Sequence, residues 1–500
     1  MKLRFTLFRT IKFLFYKILK TVDVQKLKLS IKKQLYRFVE KLTHKRRLSV
    51  TEEALMLKQS TVLKNELGFF HPINVSVIIP TFLSSPEDLY GYRYEVIRDE
   101  LTVLNQLLSK GLIDEIVIVD GSRTKKMGID ESLAKQLVAS AYRKIPLFYE
   151  QVTLLNKFPA LKDKAKLGLY DFAFKIVHQL DFQICLTAKK LNILPEGIPA
   201  GKGAGLWLGV GASLGDIILF LDSDIKNLEE WQVSSLIKPL LKTFQDEKFK
   251  VELTKAYYTR LSVNLDFPEK GFYKIGGRVS RLFLIPLLKV LSRRGILKGL
   301  EKLKYPLSGE YAGKRNFIES LSFPSNYSVE TGILIELWKR NMIDKIFEVD
   351  LNLFQHFPRS EDSIMSMVKE IIHLLFYELE TNTLDEKIIK EYLQEAYKTI
   401  EASQSLYDKA EIKTEIAHKV KRTFYKDVKE DKERIHRYAE ILNKEFYAFK
   451  SKTYTKTLKK MPTWMELTKT LEGQKFQNFL RRRAITYTLE LLSKNDMVKI

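Results

Sequence analysis

Cysteine is all but missing from this chain. Cys185 stands alone among 500 residues, so an internal disulfide is excluded and a reducing cytoplasm is the expected setting. Its neighbours Ile184 and Leu186 point to a buried, inert thiol, because thiolate chemistry needs an electropositive, partly exposed site. Also lacking is any apolar run near the roughly 18 uncharged residues that span a bilayer. The nearest attempt, Phe5 to Leu19, is broken by Arg9, Lys12 and Lys17. It lacks a small-residue cleavage site, so a secretory signal is not expected. Internal repeats and low-complexity tracts are absent as well, which excludes solenoids and extended polar linkers.

Acidic residues are scarce at the start. Residues 1–50 hold 15 Lys/Arg against 2 Asp/Glu and so supply +13 of the net +23. The basic character is largely that of this arm. Within it Phe5, Phe8, Ile11, Phe15 and Leu19 recur at steps of three and four with cations between them. Such a helix suits peripheral contact with an anionic membrane surface. It suits equally well packing on the protein's own body or on a second subunit, and a homodimer is the expected assembly. Nucleic acid is not an expected partner, since no nucleic-acid-binding motif accompanies the basic run.

What is present is a sequence that can fold around a large core: 45% of residues are hydrophobic and 11% aromatic. The length exceeds what one core usually spans, at about 100–200 residues per domain. The expected division is a basic helical arm over 1–70, a central domain over 71–375, and a helical extension over 376–500. The central domain divides further into two halves, 71–225 and 226–375.

That central domain alternates strands and helices. Val75–Ile79, Glu115–Val119 and Ile217–Leu221 are short β-branched or apolar runs. Helices are expected near Tyr92–Leu108 and Glu131–Arg143, and a further strand near Pro146–Leu154. The pattern predicts an α/β fold, a mostly parallel sheet with helices on both faces. Ligands of such sheets bind at the carboxyl ends of the strands, where Asp120 and Asp222 fall.

Asp222-Ser223-Asp224 leaves a buried strand with two carboxylates at i and i+2. They can converge on Mg²⁺ or Mn²⁺ bridging a diphosphate, although Asp is also frequent in plain turns. Gly201-Lys202-Gly203-Ala204-Gly205 can cradle phosphate at a helix start or serve as a flexible turn. Its spacing is neither a Walker A loop nor a dinucleotide fingerprint. His356 lies among apolar residues, as a core histidine or a metal ligand would. Arg278 follows Gly276-Gly277, where an anion can approach closely. Glu310 and Glu330 follow turn-containing stretches and, taken singly, read as surface charges.

In order along the chain stand Gly201-Lys202-Gly203, Leu221-Asp222-Ser223-Asp224, Lys255-Ala256-x-Tyr258-x-Arg260, Gly276-Gly277-Arg278-Val279, Pro306-Leu307-x-Gly309-Glu310-Tyr311-Ala312 and Tyr327-x-Val329-Glu330-x-Gly332-x-Leu334. This set resembles the glucosyl-3-phosphoglycerate synthases, glycosyltransferases of the GT-A fold, over about residues 74–370. The resemblance implies retaining transfer of glucose from UDP-glucose to 3-phosphoglycerate with a divalent metal, Mg²⁺ or Mn²⁺. A GDP-sugar donor or a membrane-associated acceptor is the alternative. Carried over by position, Asp224 and His356 would hold the metal. Lys202, Asp222 and Ser223 would meet the nucleotide diphosphate. Pro80, Thr81, Asp120, Gly121 and Ser122 would border the base. Gly277, Arg278, Ser280 and Tyr327 would hold a small anionic acceptor, and Glu330 would orient its hydroxyl. The chain departs from the family pattern at Thr81-Phe82-Leu83-Ser84, where the expected Glu is either missing or displaced to Glu87, and at Val119, Phe354 and Pro358. Between Ser122 and Gly201 it is also longer than the family pattern.

Overall fold

The computed structural model describes residues 48–64, 70–83, 92–124, 126, 128–167, 170–246, 248–262, 274–357, 359–379, 385–407, 412–416, 420–424, 428–451 and 458–495. The helical reading of residues 1–47, and the readings at Glu87 and Pro358, fall outside them. Residues 50–500 form a single compact unit.

Eight strands build its central sheet: β1 (Val75–Thr81), β2 (Glu115–Asp120), β3 (Phe174–His178), β4 (Ile217–Phe220), β5 (Leu253–Ser262), β6 (Lys274–Ile275), β7 (Tyr311–Lys314) and β8 (Ile346–His356). Their order is β8-β5-β7-β4-β1-β2-β3, with β6 paired to β5. β1, β2, β3 and β4 pair in parallel. β7 is antiparallel to both β4 and β5, and β8 is parallel to β5. Two reversals cancel, so β5 and β8 point the same way as β1–β4. The carboxyl ends of six strands therefore share one edge of the sheet. The strand order reverses between β1 and β4, which opens a crevice there.

Strand periodicity divides the core in two. Ile78, Val117, Val119, Ile218 and Phe220 face one cluster, and Val77, Ile79, Ile116, Ile118, Ile217 and Leu219 face the other. Both faces are covered, as continuous apolar strands require. On one face lie α2 (Tyr92–Ser109), α3 (Ser132–Lys144) and α5 (Glu230–Gln245), with α1 (Val50–Gln59) packed on α5. On the other lie α4 (Lys202–Ala212) and α6 (Val329–Lys339). Behind them pack α7 (Glu361–Glu378), α8 (Lys387–Tyr407) and α9 (Val428–Lys450). Every residue of α4 from Gly203 to Ala212 is buried.

The last helix, α10 (Leu471–Ser493), runs along the open edge at β3. Its Phe476, Leu480 and Ala484 join one core, and Ile485, Leu489 and Leu492 join the other. Thr488 Oγ1 accepts from the β3 backbone at Ile176 N, 2.8 Å away, which helps close an otherwise unpaired edge.

The strand expected near Pro146–Leu154 is instead a helix, Pro146–Lys157. Proline sits at its first turn, where the missing N–H costs nothing. Phe148, Val152 and Leu155 are buried at steps of four and three, a helical rather than a strand period. A second helix, Pro159–Lys166, follows, so the long segment between Ser122 and Gly201 is mainly helical. Cys185 is half-buried, and burial pushes its thiol up, away from thiolate chemistry.

Candidate active site

The fold brings Lys202 and Glu330 together from the starts of two helices. The turn before α6 is stitched to the start of α4, where Ala204 N donates to Ser325 O at 2.9 Å. Gly201 makes this approach possible: its φ is +137°, and a Cβ there would sit 2.5 Å from Ser325 O. Lys202 Nζ then donates to Glu330 Oε1 and to Asp222 Oδ1, each at 2.6 Å. All three side chains are nearly inaccessible. Burial opposes the charge on Lys202, but Asp222 and then Glu330 outweigh it and hold the ammonium above the usual lysine range. Burial also opposes ionisation of Asp222, yet Lys202 keeps its carboxyl below the ordinary value. Gly309 packs on this carboxylate so closely that a Cβ would fall 2.5 Å from it.

Asp224 is delivered by the turn after β4. Ile225 bridges to His356, Lys226 N donates to Gln355 O at 2.8 Å, and Asn227 Oδ1 accepts from Gln355 N at 2.8 Å. These bonds fold the Asp222–Asp224 turn across the end of β8. Asp224 Oδ1 lies 2.9 Å from His356 Nδ1, and its Oδ2 accepts from Arg260 at 3.4 Å. Burial would raise the Asp224 carboxyl, but His356 and Arg260 hold it well below the carboxylate range. Burial, and after it Arg260, pulls His356 down, toward the neutral imidazole, against the opposing pull of Asp224. An ionised carboxylate beside a neutral imidazole is a suitable donor set for a divalent cation. His356 Nε2 is buried with no hydrogen-bond partner among the described residues. No group of three or more His, Cys, Asp and Glu able to hold a metal occurs among the described residues. A cation held here would complete its shell from a diphosphate and water, as Mg²⁺ commonly does.

One cavity joins the Lys202 cluster to the turn at Gly277, and neither Asp224 nor His356 is in its lining. Lys202, Asp222 and Glu330 line it together with Gly277, Arg278, Ser280 and Tyr327. The lining also includes Arg260 and Arg359, so three guanidinium groups face a single space. Arg359 lies 5.2 Å from the centre of the Tyr327 ring. The residues expected at the base stand apart from this lining, at the ends of β1 and β2. There Asp120 Oδ1 accepts from Ser122 Oγ at 2.6 Å and Thr81 Oγ1 at 3.2 Å, and Ser122 Oγ accepts from Leu83 N at 3.0 Å. Asp120 is fully buried, and burial raises its carboxyl. Pro80 and Gly121 complete that ledge, and Ser223 lies on the turn between the two carboxylates.

Several neighbours were given no site role from sequence. Gln179 Nε2 donates to Pro199 O and Gly201 O at 3.0 and 2.8 Å and fastens the loop before Lys202, a contact that no local pattern announces. Arg260 had a signal: Tyr258, Arg260 and Ser262 lie two apart on β5 and so share a face. Glu310 is fully buried rather than a surface charge, and accepts from Tyr258 Oη at 2.7 Å. Burial, reinforced by Asp222, pushes its carboxyl up to about 7.

The architecture is the expected α/β one, a mostly parallel sheet covered on both faces, with helical segments added beyond it. The chain is also a sequence relative of the glucosyl-3-phosphoglycerate synthases, which share its central segment. It is 36% identical over 183 residues to glucosyl-3-phosphoglycerate synthase from Mycobacterium tuberculosis, covering 36% of this chain and 53% of that protein. With glucosyl-3-phosphoglycerate synthase from Petrotoga mobilis it shares 32% identity over 230 residues, covering 45% of this chain and 66% of the relative. The matches thus span about half to two thirds of these relatives' length. A crystal structure of the M. tuberculosis synthase with Mn²⁺, UDP-glucose and phosphoglyceric acid aligns over 77% of this chain and 93% of its own, at 22% identity and a TM-score of 0.44. No family model matches the chain.

Proposed function

We propose that this protein is a retaining glycosyltransferase that moves glucose from UDP-glucose to 3-phosphoglycerate. The observation that carries the reading is Lys202, clamped between Asp222 and Glu330, in a cavity that three arginines line. The relatives' name supplies the glucosyl group and the acceptor. The donor base would rest on the ledge of Pro80, Thr81, Asp120, Gly121 and Ser122, with its diphosphate reaching Asp222, Ser223 and Lys202. Asp224 and His356 would hold Mg²⁺ or Mn²⁺, which supplies Lewis-acid neutralisation of the departing diphosphate.

The Lys202 ammonium adds positive charge at the same place, preorganised by two carboxylates before the donor arrives. Arg278 and Arg359, with Gly277, Ser280 and Tyr327, would receive the carboxylate and phosphate of the acceptor, for which guanidinium forks are well shaped. The acceptor's single alcohol then faces Glu330, which orients it. The bond from the anomeric carbon to the diphosphate oxygen breaks, and the acceptor oxygen forms the new bond on the same face. The alcohol proton leaves with the departing phosphate oxygen, so no protein base is required. Rate enhancement comes from positioning and charge stabilisation.

Purified protein with Mg²⁺, UDP-glucose and 3-phosphoglycerate should release UDP only when the acceptor is present, yielding a phosphorylated glucoside. Lys202→Met and Asp224→Asn should each lower kcat by about 10²–10³-fold. Acceptor-independent UDP release would remove 3-phosphoglycerate from the proposal, and full activity in Asp224→Asn would remove the metal site.

A further inference from the structure

Arg278, which lines the cavity, is not free. Its Nη1 donates to Glu361 Oε1 at 3.0 Å and lies 3.9 Å from Glu430 Oε1. Both carboxylates also meet Arg434, whose Nη2 donates to Glu361 Oε1 and Glu430 Oε1 at 2.6 Å each. Arg434 is only 2% exposed, and its Nη1 also reaches Asp431 Oδ1 at 3.4 Å. Asp431 Oδ2 in turn accepts from Arg281 at 2.7 Å, on the turn of chain that follows Arg278. Glu430, Asp431 and Arg434 all belong to α9, far along the chain from the sheet and its site.

The balance of charge gives this contact a function. Arg278 faces two carboxylates that compete with any incoming anion for its guanidinium. Arg434 neutralises the same two carboxylates from behind, so the wall keeps a positive face toward the cavity. Without Arg434, Glu361 and Glu430 would each lose a 2.6 Å cationic contact, and although Arg437 stays 4.0 Å from Glu361, the pair would draw Arg278 more strongly and repel an anion.

We infer that Arg434 of the helical extension is a positioning residue for the anion-binding wall, setting acceptor affinity through Glu361, Glu430 and Arg278. This rests on the transferase reading only for the identity of the anion. The extension is then part of the acceptor site rather than an appendage to it.

Calorimetric titration of the full-length protein with 3-phosphoglycerate, and separately with UDP, tests this. Arg434→Met keeps the side-chain volume but loses the charge. It should weaken phosphoglycerate binding by about tenfold, equivalent to ~1.4 kcal/mol, with UDP binding unchanged. Arg434→Lys should recover part of that loss, since it restores charge without the fork. Glu430→Gln, which removes a competing anion from a partly exposed position, should tighten phosphoglycerate binding and covers the case in which Arg434→Met does not fold. Equal phosphoglycerate affinity in wild type and folded Arg434→Met, or weaker binding in Glu430→Gln, overturns the inference. A wild type that binds UDP but not phosphoglycerate would instead overturn the acceptor assignment; the inference about the wall would then stand or fall on the same variants titrated with inorganic phosphate.

Discussion

At the residue scale the site is a set of buried charges that make one another tolerable. Lys202 remains an ammonium because Asp222 and Glu330 hold it, and removing either carboxylate would leave a buried charge undercompensated. Glu310 has less help. Tyr258 donates to one oxygen, while the other has no partner among the described residues. Its carboxyl, ordinarily near 4.5, is pushed up to about 7 by burial and then by Asp222. Between those values the folded protein keeps a proton that the unfolded chain has lost. Stability must therefore fall as pH rises through this window. Glu310→Gln, which keeps an acceptor for Tyr258 and cannot ionise, should remove that slope. The melting temperature of wild type should drop relative to the variant between pH 5 and pH 8; a constant difference would contradict the raised carboxyl.

At the element scale a close joint lies between α4 and the chain that crosses it after residue 458. Trp207 and Trp464 stack with ring centres 4.4 Å apart. Trp464 Nε1 donates to Trp207 O at 2.8 Å, and Trp207 Nε1 donates to Pro462 O at 2.7 Å. Met461 N donates to Phe323 O at 2.8 Å, and Ser325 N to Lys459 O at 2.9 Å. The helix that presents Lys202 and the turn that precedes Glu330 are thus both fastened by the same crossing segment. Trp464→Ala would open a large cavity there and should cost about 3–5 kcal/mol. Denaturant unfolding would show this as a lower midpoint with an unchanged slope. A loss under about 1 kcal/mol would mean that the joint relaxes around the gap.

At the scale of the whole molecule the carboxyl-terminal helices are built into the fold. α10 covers the β3 edge and enters both cores, and its Arg483 donates to Asp181 Oδ2 at 2.7 Å across the sheet end. A truncation after Lys469 would expose the strand edge and both core faces at once. It should yield aggregating protein without a cooperative thermal transition. A soluble truncation with a sharp melt would show that residues 48–469 fold without α10.

Local chemistry sufficed for much of this protein. β-branched runs placed β1, β2 and β4, because strands buried on both faces must be apolar throughout. The position of Asp222 after such a run pointed to the candidate site, since a strand's end is where an open sheet meets its ligands. The motif order pointed to the same family as the matched relatives. The segment from Pro146 misled, because a short apolar stretch opened by proline fits either a strand edge or a first helical turn. Other features had no local signal at all. The burial of Glu310, the hold of Gln179 on the Lys202 loop and the reach of Arg434 to Arg278 join residues that sequence keeps far apart. Periodicity and spacing report what a chain does within a few residues of itself. Which charges end up buried side by side is decided only when distant elements pack, because a buried charge is set by the partners that replace its water.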